Sequence, residues 1–156
     1  MRYSSFSNQF SDDDIRYVLE RYAGTEGLIL DLRQNGGGYI GNMYRLLSHL
    51  SVSEDPVYTT CIKSGPGHED FTETQEVYLT PYDSVLTFPR PIAVLTDRGS
   101  YSATSMFALA GLALDNLFLV GDTTGGGLGM PNGGQLPNGW TYRFFRNAHP
   151  HSRRDR

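Results

Sequence analysis

Four small hydroxyls, Ser100, Ser102, Thr104 and Ser105, crowd the join between the apolar run PIAVLT and a segment of helical pattern. A strand that turns sharply into a helix presents its turn residue at the sheet edge. The hydroxyl then sits at the helix N-terminus, where free N–H groups and the positive dipole end favour a developing anion. That is the setting of a serine nucleophile in acyl transfer, and Ser102 is the residue best placed for it. The plainer alternative is that Ser100 or Ser102 only caps the helix. The string Gly99-Ser100-Tyr101-Ser102-Ala103 does not meet the usual G-x-S-x-G elbow pattern.

An acyl-transfer serine also needs donors aimed at the carbonyl oxygen that becomes negative. The run Asn35-Gly36-Gly37-Gly38 lies between an apolar run and another helical segment, and its glycines can leave two or three N–H groups pointing outward. A tight turn or a phosphate loop would read similarly, but the G-x-x-x-x-G-K-[ST] pattern of the latter is absent. A third stretch, GDTTGGGLGMPNGG, is too long and glycine-rich for a simple turn. It reads as a lid, or as a loop lying against an extended peptide.

The elements that must position these groups follow from pattern. MRYSSFS is a short β-type start. SDDDIRYVLERYAG reads as a helix with Ser11 as N-cap, acids in the first turn, Ile15, Val18, Leu19 and Tyr22 as its apolar stripe and Gly24 as its stop. GLILDLR, PIAVLTD and NLFLVGD are continuous apolar runs, the mark of strands buried on both faces of a parallel sheet. YIGNMYRLLSHL is a second helix with Met43, Leu46, Leu47 and Leu50 on one side, and a third runs from about Ser102 to Leu114. PVYTTCIKSG and, more weakly, EVYLT are strands, and GGQLPNGWTYRFF is a hairpin turning at Pro137-Asn138-Gly139. Alternation of strand and helix argues an α/β domain, whose functional groups collect at the C-terminal strand ends. Those ends are DLRQNGGG, LTDRGSYS and LVGDTTGGG.

Composition agrees with one domain and excludes several classes. The chain has 156 residues, 38% hydrophobic and 19% charged, which is globular. A net charge of −4, with no basic block outside the C-terminal HSRRDR, argues against nucleic-acid binding. No apolar run of about 18 residues exists to span a membrane, and the first ten residues lack the h-region of a signal peptide. The single cysteine, Cys61, can make no internal disulfide. No cofactor signature is present. Residues 1–145 are expected to form the domain and 146–156 a polar tail.

Taken together, GLILDLRQNGGG, PIAVLTDRGSYSATSMFALAGL and FLVGDTTGGG resemble, in order and spacing, the catalytic core of the carboxyl-terminal processing peptidases (tail-specific proteases) and of the tricorn-core-like serine peptidases. The resemblance covers about residues 1 to 145. It implies a crotonase-like fold of the ClpP/crotonase superfamily, with a mostly parallel buried sheet flanked by helices. It also implies hydrolysis of peptide bonds in a peptide or unfolded protein substrate. Ser102 aligns with the family nucleophile; its own N–H or that of Ala103 would join a glycine N–H of the Gly36 to Gly38 loop, from Gly37 or Gly38, as the oxyanion hole. Members commonly work in the cell envelope or are secreted, so an extracytoplasmic setting is expected.

The processing branch activates its serine with a lysine 25 residues downstream, and that position is Gly127. Lys63, the only lysine, ends a different strand. The pattern therefore resembles the tricorn-like branch, which uses histidine with a glutamate partner. Of the four histidines, His49 reads as surface decoration at a helix end, while His149 and His151 fall in the tail. His68, in the loop KSGPGHEDF beside Glu69 and Asp70, is the expected base; its unperturbed pKa near 6.5 suits proton acceptance at neutral pH. The orienting carboxylate stays open among Asp97, Asp122, Glu69 and Asp70. The glutamate-bearing segment usual after the last hairpin is not present. Two other readings stand beside the peptidase. One is a ligand- or peptide-binding module that has lost catalysis; the weaker one is an acyl-CoA enzyme of crotonase type.

Overall fold

The computed structural model describes residues 1–83, 87–146 and 151–152. It contains helices α1 (Asp12–Glu20), α2 (Ile40–Leu50) and α3 (Ala103–Gly111). Its strands are β1 (Leu28–Asp31), β2 (Asp55–Thr60), β3 (Gln75–Leu79), β4 (Ile92–Thr96), β5 (Leu117–Gly121), β6 (Met130–Gln135), β7 (Thr141–Arg146) and β8 (His151–Ser152). The molecule is mixed α/β.

Each helix has a local cause. Ser11 caps α1 through a reciprocal capping box with Asp14, and Ile15 and Leu19 turn into the core. On α2, Met43, Leu46, Leu47 and Leu50 are buried on one face. Nearly all of α3 is buried, including Ala103, Met106, Phe107, Ala108 and Ala110, so it is the central helix, with no polar face to offer solvent. Phe107 stacks on Phe6 at 6.1 Å between ring centres, joining α3 to the N-terminal segment.

The parallel sheet has three strands in the order β1-β4-β5, with Leu28 opposite Ile92 and Ile92 opposite Leu117. The N-terminal segment extends this sheet in bridge contacts: Tyr3 N–H donates to the Asp31 carbonyl at 3.0 Å, and Phe6 N–H to the Gly37 carbonyl at 2.9 Å. β2 belongs to a separate antiparallel sheet, β3-β2-β8, and β6 and β7 form a hairpin.

Two expectations are corrected here. The parallel strands are not buried on both faces: Leu28, Leu30, Ile92, Val94 and Leu117 face the core, while Ile29 is 59% and Phe118 55% exposed. Among the described residues no element covers that second face, so the apolar runs are continuous without being enclosed. The supposed polar tail also contributes structure, because β8 pairs with β2 through Thr59–His151 and Tyr58–Ser152. His149 lies outside the described residues. No described helix is long and apolar enough to cross a membrane.

Candidate active site

The four hydroxyls separate cleanly. Ser100 is buried, and its Oγ donates to the Leu32 carbonyl at 2.9 Å. Ser105 is buried, and its Oγ donates to the Ser100 carbonyl at 3.1 Å. Thr104 is fully buried in α3. Ser102 alone is half-exposed. It occupies the N-cap position of α3 with no side-chain cap bond, and its backbone holds φ 57°, ψ −120°. The capping explanation therefore fails for Ser102. A non-glycine residue in this region costs about 1–3 kcal/mol and persists only where neighbours over-determine it. Here the Ser102 N–H donates to the Gly126 carbonyl at 2.8 Å, and the Ser102 carbonyl accepts from Met106 N–H at 3.0 Å. With this backbone, Oγ makes no bond to the first turn of α3.

The triple-glycine loop lies against this serine. A Cβ added to Gly37 would come within 2.6 Å of the Tyr101 carbonyl oxygen, 2.9 Å of the Ala103 nitrogen and 2.9 Å of the Ser102 Cβ. Backbone atoms cannot yield, and φ is +93°, so only glycine fits. The Gly37 N–H is engaged by the Asn35 Oδ1 at 3.0 Å, which removes it as a donor to substrate and corrects the expectation for that residue. The Gly37 carbonyl accepts from Phe6. Across the trans peptide the Gly38 N–H must then point the opposite way, away from the N-terminal segment. Neither the Gly38 nor the Ala103 amide donates to an acceptor among the described residues. Ser102, Gly38 and Ala103 are thus brought together, with two unengaged N–H groups beside one unengaged hydroxyl.

The expected base is not brought to them. The His68 side chain is 99% exposed, and its neighbour is the Glu69 carboxylate at 3.9 Å. It stands on the Lys63–Phe71 loop that follows β2, in a sheet separate from that of Ser102. Lys63 is tied down in the same loop, donating to the Gly67 and His68 carbonyls. Among the described residues, no histidine or lysine nitrogen hydrogen-bonds to the Ser102 Oγ. Sequence order offered no measure of this separation, since a flexible loop histidine reads the same wherever its loop points.

His49 is also corrected. It is fully buried, pairs through Nε2 with Asp12 at 3.1 Å and stacks on Tyr82 at 4.1 Å. The partner comes from a helix 37 residues earlier, so helical position alone could not reveal it. Of the candidate orienting carboxylates, Asp97 is consumed by backbone donors from Gln34, Gly99 and Ser100. Those bonds, Gln34's foremost, hold its pKa below the ordinary aspartate range. Asp122 is taken by the Thr123 amide and Arg98, which lower its pKa likewise. Asp70 accepts from the Gly67 amide within the distant loop.

The glycine-rich stretch after β5 is pinned rather than free. Gly125 N–H donates to the Ser100 carbonyl at 2.8 Å, and Tyr101 bridges Gly126 in parallel. At Gly127 a Cβ would strike the Tyr101 ring at 2.3 Å, and φ is +75°. The space that a side chain at residue 127 would need is filled by that ring. Beside it, α3, β5 and the loop enclose a recess of about 380 Å³ lined by Ser105, Leu109, Leu112, Leu119 and Leu128 among others. A nearly all-apolar recess of about 190 Å³, lined by Met1, Tyr3, Phe10 and Ile15, touches none of the four hydroxyls.

Comparison with known proteins gives the family. The model of peptidase family S41 matches residues 1–149. The carboxy-terminal processing protease CtpB of Bacillus subtilis (strain 168) is 29% identical over 126 residues, covering 79% of this chain and 24% of that protein. A crystal structure of a candidate peptidase from Parabacteroides merdae ATCC 43184 superposes with a TM-score of 0.90 at 37% identity, covering 98% of this chain and 48% of that one. The photosystem II D1 C-terminal processing protease superposes at 0.66 with 22% identity, over 97% of this chain and 36% of that one, a likeness of fold alone. The chain thus spans under half the length of each of these relatives. With a match running through nearly all its length, this chain belongs to peptidase family S41.

Proposed function

We propose that this chain carries the nucleophile and oxyanion hole of a serine peptidase that cleaves peptide bonds through an acyl-enzyme. The observation that carries the reading is the meeting of the unengaged Ser102 hydroxyl, on a strained turn, with the unengaged Gly38 and Ala103 amides. Ser102 Oγ attacks the scissile carbonyl carbon. The carbonyl oxygen takes up negative charge against the two N–H groups, where such preorganised donors are each worth about 10²–10³ in rate. The C–N bond breaks, the amine leaves with a proton from the base, and water releases the acyl group from Ser102. The Tyr101 ring against Gly127 favours the tricorn-like branch over the Ser–Lys branch. A crotonase-like superfamily assignment, a peptide or unfolded protein as substrate, and an extracytoplasmic setting are part of the same reading and rest on resemblance.

A fluorophosphonate probe followed by peptide mapping tests it. One adduct on Ser102, lost in Ser102→Ala, is expected. A folded protein that takes up no probe would leave the fold as a binding module, and an adduct that survives Ser102→Ala would place the nucleophile at another residue.

A further inference from the structure

The β1–α2 loop and the β4–α3 turn are joined by few bonds, and one side chain dominates them. Asp97 Oδ1 accepts from the Gln34 amide at 2.9 Å, the Gly99 amide at 2.9 Å and the Ser100 amide at 3.0 Å, while Oδ2 accepts from Gln34 Nε2 at 2.6 Å. Two of these bonds cross 63 residues of sequence to the glycine loop. Gln34 itself holds φ 61°, a region that non-glycine residues avoid, and Asp97 grips it by both amide and side chain. Next to it, Tyr101 N–H donates to the Asn35 carbonyl at 3.0 Å, and Asn35 Oδ1 receives the Gly37 amide at 3.0 Å. The path from Asp97 to Gly37 therefore runs through short, well-directed bonds and ends where Gly37 abuts Ser102.

We propose that Asp97 is a positioning residue: its carboxylate fastens the triple-glycine loop to the Ser102 turn and so sets the spacing between the nucleophile and the Gly38 amide. This rests on the reading of Ser102 as nucleophile. Asp97 touches no reacting atom, and both its oxygens already hold donors, so it does not orient an imidazole. A carboxylate suits the place because four N–H groups converge on it with no acceptor required. Alanine removes every bond. Asparagine keeps one oxygen for the three amides, and with the Gln34 amide turned over, its NH₂ donates to Gln34 Oε1.

The test compares wild type, Asp97→Ala and Asp97→Asn in two measurements. Fluorophosphonate labelling, read at several probe concentrations, separates the maximal rate from probe affinity. Asp97→Ala is expected to lower the maximal rate about 100-fold, the scale of a displacement of about 1 Å. Affinity stays unchanged, and Asp97→Asn recovers most of the rate. Amide hydrogen exchange, which needs no catalysis, is expected to quicken in Asp97→Ala at Gln34, Tyr101 and Ser102 while β2, β3 and α1 keep their protection. Wild-type labelling rate in Asp97→Ala overturns the proposal, as does exchange that quickens equally throughout the molecule. Absence of labelling in wild type counts against Ser102 as nucleophile; the exchange pattern then still decides whether Asp97 holds the two turns together.

Discussion

At Ser102 the backbone angles φ 57°, ψ −120° set two substitutions apart that would otherwise look alike. Alanine keeps the strain and loses the hydroxyl; glycine loses both. Ser102→Gly is expected to be about 1 kcal/mol more stable than Ser102→Ala, after the entropy glycine adds to the unfolded chain is set against the strain relieved. Denaturant unfolding of the two variants checks this, and equal midpoints would show that the turn is unstrained. Gly37 makes the complementary case. Its added Cβ meets the Tyr101 carbonyl and the Ala103 nitrogen, both fixed in the backbone. Gly37→Ala is expected to cut phosphonate labelling by 100-fold or more, on the order of losing one oxyanion donor. Labelling at the wild-type rate would place the loop elsewhere.

At the scale of elements, the turn after β4 and the loop after β5 are interlocked by the Tyr101 ring. Gly127→Lys, which restores the residue type of the processing branch, is expected to destabilise the fold, because its Cβ meets the ring and its φ of +75° disfavours a side chain. Labelling by phosphonate should fall, not rise; a gain in rate would show that the ring gives way. Acid acts on the same join. The pKa of Asp97 is depressed in the fold, so its contribution is present above the unfolded value of about 3.9 and is lost as pH falls through the lower folded value. Arg33 and Asp122 act on it; Arg33 opposes protonation and Asp122 favours it, while the pKa of Asp122 is itself lowered by the Thr123 amide and Arg98. Protection at Gln34, the exchange rate relative to that of the unfolded chain at the same pH, is expected to hold down to about pH 4 and to fall below it. A loss of protection already near neutral pH would assign the change to another group. Much of this site was legible in the chain. Helix starts, strand runs and turn glycines are local signals, and they led to Ser102 and the triple-glycine loop; the amide roles of Gly38 and Ala103 came with the family resemblance. The Asn35 bond that takes the Gly37 amide, the Asp97 clasp and the burial of His49 depend on side-chain direction or on partners 37 to 63 residues away. No periodicity encodes those.

For the whole molecule, one face of the parallel sheet is apolar and open. Ile29, Ala93 and Phe118 align in one cross-strand row, and Val120 pairs beside Leu95, with Ile29, Phe118 and Val120 at 59%, 55% and 48% exposed. Apolar runs looked fully buried in sequence because hydrophobicity reports what a strand prefers, not what is present to cover it. The chain spans 48% of the Parabacteroides protein it superposes on. As a separate 156-residue chain, it is expected to bind an apolar fluorescent dye, and Phe118→Lys to reduce that binding with little change in thermal midpoint. Unaltered dye binding would locate the exposed surface elsewhere.

The most direct measurement is a crystal structure of the phosphonate adduct. Phosphorus bonded to Ser102 Oγ, with its oxygen about 2.7–3.1 Å from both the Gly38 and Ala103 nitrogens, is the predicted result. An adduct on another residue, or that oxygen turned away from the two amides into solvent, would contradict the account.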